Sequence, residues 1–112
     1  MPSTKKVSPA LAIAGAVVEL NNTRDAATRL AAAYPRNSLR ADTAMILSDT
    51  LNEAASSFKV AKLSLVTAHK RAVLGNLEAA AKYVAAARAE NAATFSTLRA
   101  LEERLARLKS AA

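Results

Sequence analysis

The chain contains no cysteine and no tryptophan, and its 112 residues include two glycines, three prolines, two tyrosines and two phenylalanines. Without cysteine there is no disulfide, no thiolate nucleophile and no zinc–thiolate site, a usage that fits a reducing compartment. Scarce glycine and proline leave little turn chemistry, and valine and isoleucine nowhere alternate with polar residues between turn signals, so strands are not expected. Long apolar runs are missing too. The longest, Ala10 to Val18, ends at Glu19, less than half of the ~20 residues needed to span a bilayer. Lys5 and Lys6 before it and Ala14-Gly15-Ala16 inside it imitate a signal peptide weakly, but Pro9 and the short apolar core oppose that reading, as does the start at Met1. The expected setting is cytoplasmic or inside a virion, not secreted.

What is present is alanine, about a quarter of the chain, together with leucine, arginine and lysine. These are helix formers, and about 110 residues suit one hydrophobic core. The expected class is all-α: three helices, the last two forming a long antiparallel, coiled-coil-like hairpin. The expected division is a basic arm at 1–7, one helical domain at 8–110 with helices near 9–34, 38–74 and 77–109, and a frayed tail at 111–112.

The first helix has a clear start. Ser8 is placed to cap it, and Pro9 in the first turn loses nothing by lacking an N–H. Ile13, Val17, Leu20, Ala27, Leu30 or Ala31, and Tyr34 recur at helical spacing and form its expected apolar stripe. Arg24 interrupts that stripe, and Asn21-Asn22-Thr23 is the place for a local defect, because short polar side chains compete for backbone hydrogen bonds. Pro35 ends the helix, and Asn37 or Ser38 is the expected cap of the next.

The second helix carries the strongest pattern: Ala44, Leu47, Leu51, Ala54, Phe58, Ala61, Leu65, Ala68 and Ala72 alternate spacings of three and four, a heptad seam. Beyond residue 59 a second apolar set, Val60, Leu63, Val66, Val73 and Leu74, lies off that seam; with Leu77 it is the candidate partner face. Gly75-Asn76 marks a turn. The third helix has its own seam in Ala80, Val84, Ala87, Asn91, Thr94, Leu98, Leu101, Leu105 and Leu108. Laid antiparallel, the seams pair Leu47 with Leu105, Leu51 with Leu101, Ala54 with Leu98, Phe58 with Thr94, Leu65 with Ala87, Ala68 with Val84 and Ala72 with Ala80. Several pairs set large against small, as interdigitating layers require. The alternative is an extended rod, one continuous helix from about 39 to 109 that absorbs a stutter near Asn76. Long hairpin helices are expected to outreach the first helix and leave apolar surface for a partner.

No catalytic, cofactor or metal site is expected. His69 is the sole histidine and has no second ligand in pattern. Glu102 and Glu103 are adjacent, so they point about 100° apart and cannot act as a facing acid–base pair. No phosphate-cradling glycine loop or nucleophile motif occurs. The net charge of +7 favours an acidic partner. Candidate nucleic-acid contacts are Lys5, Lys6, Arg36, Arg40, Lys59, Lys62, Lys70 and Arg71, although no helix-turn-helix pattern or basic–aromatic stacking platform accompanies them.

The leading expectation is therefore a non-enzymatic structural or adaptor protein that self-associates or docks through helical seams into a larger assembly, a virion or phage among the settings that fit. The alternative is a basic helical nucleic-acid binder acting through electrostatics. A membrane surface is the less favoured partner, because residues 9–20 have no lysine or arginine on their polar face.

Overall fold

The computed structural model describes residues 8–111, so the expected basic arm, Lys5 and Lys6 included, and residue 112 lie outside the described residues. Three helices pack against one another: α1 (Pro9–Ala33), α2 (Ala41–Val73) and α3 (Leu77–Ala111), with a 3-10 turn at Arg36–Ser38 joining the first two. Among the described residues there is no strand. The bundle measures 57 × 28 × 16 Å.

The start of α1 follows its sequence. Ser8 Oγ accepts from the Leu11 amide at 3.2 Å and Pro9 occupies the first turn. The helix runs unbroken through Asn21-Asn22-Thr23, correcting the expected defect. Thr23 turns its hydroxyl back onto the Glu19 carbonyl at 3.1 Å, which meets its polar requirement inside the helix and lets the residue be buried. The apolar stripe keeps most of its expected members: Leu20 and Leu30 are buried and Ile13, Ala27 and Tyr34 pack against the core, but Val17 gives way to Ala16 and Thr23 joins. Ala16, Leu20, Thr23 and Leu30 are buried, whereas Val17 is 41% exposed. A methyl group at residue 16 permits close approach to α2 and α3 that valine would prevent, so the smaller residue takes the interior.

At the α1–α2 connection, Tyr34 and Pro35 end α1 as expected, but α2 begins at Ala41, three residues late, with Arg40 at its cap position. Ser38 is diverted: its hydroxyl donates to the Pro35 carbonyl at 2.6 Å within the 3-10 turn, and neither it nor Asn37 caps α2.

At the other end the chain reverses, which overturns the continuous-rod alternative. Gly75 has φ +84°, a left-handed conformation that glycine adopts without a Cβ clash. The Gly75 amide donates to Ala72 O at 3.0 Å and the Asn76 amide to Arg71 O at 2.8 Å, the paired bonds of a Schellman ending. Asn76 then opens α3, its Oδ1 accepting from the Ala79 amide at 3.1 Å. One dipeptide thus closes one helix and caps the next.

The core has two clusters. Near the Gly75 turn, Ala16 and Leu20 of α1 meet Ala61, Leu65 and Ala68 of α2 and Val84 and Ala87 of α3. Toward the opposite end, Leu30 meets Leu47 and Ala54 of α2 and Leu98, Leu101 and Leu105 of α3. This distribution agrees with the expected antiparallel register: Leu47 and Leu105 share one cluster, as do Ala54 and Leu98, while Leu65 and Ala87, and Ala68 and Val84, share the other. Because α1 reaches both clusters, it covers more of the hairpin than its length promised.

Candidate functional site

Seam residues and surface residues separate cleanly with one exception. Leu47, Leu65, Val84, Leu98, Leu101 and Leu105 are buried, and Leu51 and Phe58 are half-buried against the clusters. Leu108 departs from the expected seam, being 49% exposed. Its facing position on α2 is Ala44, in the first turn of a helix that starts late, so nothing large covers it. It lines a groove with Tyr34, Leu39, Arg40 and Lys109, whose ammonium lies 5.9 Å from the Tyr34 ring centre.

The candidate partner face is indeed at the surface. Val60, Leu63, Val66 and Val73 of α2, Leu74 at its C-cap and Leu77 at the start of α3 are all exposed, Leu63 at 65% and Leu74 at 75%. They cannot turn inward, because Ala61, Leu65 and Ala68 already fill the core side of the same turns. Leu11 and Val18 of α1 and Met45 of α2 are further exposed apolar side chains that the sequence patterns did not single out.

Lys59, Lys62, Lys70 and Arg71 share this half of α2 and are exposed; Arg36 lies in the 3-10 turn and Arg40 just before α2, both also exposed. None of these six joins an ion pair among the described residues. The pairs that do form are Arg24–Asp25, Lys82–Glu78, Arg88–Glu19 and Arg99–Glu102. Arg36 and Arg40 are at the opposite end of the bundle from Lys70 and Arg71, so the basic candidates form two groups and no single patch.

Between the two clusters, polar and small side chains gather around the Phe58 ring. Thr23, Arg24, Ala27, Phe58, Asn91 and Thr94 border a groove of about 390 Å³ there, with the Arg24 guanidinium 5.8 Å from the Phe58 ring centre. Asn91 and Thr94 occupy seam positions, and their polarity leaves this gap where leucine would fill it. Arg24, expected to break the α1 stripe, instead lies outside and covers the Phe58 ring.

No protein-family model, curated protein or solved structure matches the chain. Its functional reading therefore rests on its own side chains. Among the described residues no group of three or more His, Asp or Glu is placed to hold a metal ion, and His69 is exposed. No described helix is long and apolar enough to cross a membrane. The Arg88 guanidinium is held above its usual value, first by its hydrogen bonds to Glu19 and then by that carboxylate's charge. This bridge joins α1 to α3 across 69 positions of sequence, a separation at which no local pattern signals the meeting.

Proposed function

We propose that the chain is a non-enzymatic structural or adaptor protein whose helical surfaces dock it into a larger assembly. The supporting observation is the set of large aliphatic side chains left in water along α2 between Val60 and Leu74, although both core clusters are closed without them. Several large aliphatic side chains exposed on one side of a helix are a usual mark of an interaction face. Light scattering over a range of concentrations, with isolation of the full chain from its native source, tests the reading. An oligomer or a stoichiometric complex is expected; a compact monomer at high concentration that also has no stoichiometric partner overturns it.

A second reading, electrostatic nucleic-acid binding, draws on the unpaired exposed cations Lys59, Lys62, Lys70 and Arg71. It predicts retardation of DNA or RNA at low salt and a steep loss of affinity as salt rises, because phosphate contacts release counterions. No retardation at low salt removes it.

A further inference from the structure

We infer that the outward face of α2 from Lys59 to Leu74 docks an acidic amphipathic helix of another protein. This deepens the assembly reading above and rests on it.

Charge is the first ground. From Ala54 to Leu77 the sequence has no aspartate or glutamate, while it has Lys59, Lys62, Lys70 and Arg71. Glu78, the next acid, is engaged by Lys82 at 3.7 Å on α3. The face is thus both apolar and uniformly cationic. Spacing is the second ground. Val60, Leu63 and Leu74 fall within about 60° of one another at 100° per residue and are all exposed, so they form one aliphatic stripe along the helix. At 1.5 Å per residue the strip is about 21 Å long, enough for two heptads of a partner.

The same residues reject other occupants. A second copy pairing through this face would set lysine strip against lysine strip with no acid to relieve the repulsion. The seven residues ahead of Ser8 contain two lysines and no acid, so this chain's N-terminal segment does not supply the complement. Nucleic acid would meet the cations but leave Leu63 and Leu74 wet. On a bilayer, a peripheral helix keeps the centre of its inserted face apolar and its cations on the polar side. Here Lys70 points within about 20° of Leu63 and Lys59 within about 40°, at 100° per residue, so both ammonium groups stand in the middle of the face. Central lysines among valine and leucine call for carboxylates interleaved with apolar side chains. Such charges set partner choice, while the aliphatic contacts supply area.

The probe is a synthetic three-heptad helical peptide with leucine at the a and d positions and glutamate at e and g, whose self-pairing is opposed by its own charges. Its counterpart carries lysine at e and g. Fluorescence anisotropy with the full chain at physiological salt should give the acidic peptide a roughly tenfold advantage, the scale of one or two formed charge contacts. Leu63→Ser should lower that affinity several-fold and Lys59→Glu with Lys70→Glu should reverse the preference. Arg107→Glu, at the far end of α3, should leave it unchanged. Circular dichroism verifies that the variants, all at exposed positions, remain folded. Equal binding of the two peptides, no binding, insensitivity to Leu63→Ser, or tighter binding of phosphatidylserine vesicles or duplex DNA lost in the same variants overturns the inference. A photo-crosslinker at position 63 in the native source separates the two levels. A stoichiometric complex joined through another face overturns this surface while the assembly reading stands; a partner-free monomer removes both.

Discussion

Arg88 on α3 grips Glu19 on α1 through two hydrogen bonds, Nε to Oε1 and Nη2 to Oε2, each 2.9 Å long. The fork geometry is that of a guanidinium meeting a carboxylate edge to edge, which a lysine cannot reproduce. Both side chains remain about half exposed, at 56% and 42%, so water screens the attraction and its stabilisation is modest.

A double-mutant cycle on Glu19→Gln and Arg88→Gln, read by urea unfolding, should give a small favourable coupling, and Arg88→Lys should lose most of it. Exchanging the charges, Glu19→Arg with Arg88→Glu, should recover part. The pH behaviour follows from sign. The Arg88 pKa is raised on folding, so its contribution is complete below the unfolded value and lost only as pH climbs through the still higher folded value. Titration of the guanidinium therefore introduces no change in stability anywhere near neutrality.

Leu105 is the largest fully buried side chain, at 1% exposure. Leu105→Ala should cost about 2–5 kcal/mol, the range for a buried leucine whose site closes incompletely. Leu108→Ala, three residues on at a half-exposed position, should cost well under half as much. Similar losses for both in chemical denaturation would contradict the finding that the seam stops at Leu105.

Gly75→Ala forces a Cβ into a left-handed residue and should destabilise the hairpin by about 1–2 kcal/mol. No side chain stands within 4 Å of the Cβ position, so the cost is conformational and not a clash. Gly75→Asn should cost less, since asparagine tolerates this region. Asn76→Ala, which removes the acceptor for the Ala79 amide, should lose about 1 kcal/mol. Thermal unfolding of the three variants gives the order.

Ala16→Leu should lose about 1–3 kcal/mol by overpacking a position with no exposed surface. Val17→Ala should be nearly neutral apart from helix propensity. The expected stripe, with Val17 inside, gives the reverse order, so denaturant midpoints decide between the two faces.

This last pair also marks how much was legible beforehand. The α2 and α3 seams were readable because leucine and alanine hold an unbroken three–four spacing there, and Gly75-Asn76 located the reversal. On α1 the pattern places Ile13, Leu20, Ala27, Leu30 and Tyr34 on the packed face, but not Ala16 and Thr23, because hydrophobicity ranks Val17 above Ala16 and Thr23 below both. The interior selected by size and by a hydroxyl that bonds its own helix. α2 starts later than its sequence predicts because Ser38 finds a closer acceptor in Pro35. Exposure of Val60, Leu63 and Leu74 followed from their position opposite the seam, whereas the Glu19–Arg88 bridge depends on how α1 lies against α3, which no local pattern encodes.

The division of the interior into two clusters, with Thr23, Asn91 and Thr94 between them, bears on how the molecule yields. Each half has aliphatic contacts from all three helices, while at the waist the Phe58 ring shares a groove with the hydroxyls of Thr23 and Thr94, the Asn91 amide and the Ala27 methyl. Opening one half is expected to sacrifice little of the packing in the other, so amide exchange should differ between the turn-proximal and turn-distal halves. A partner seated on Val60 to Leu74 would brace only the first of these, leaving the Tyr34 end free to breathe.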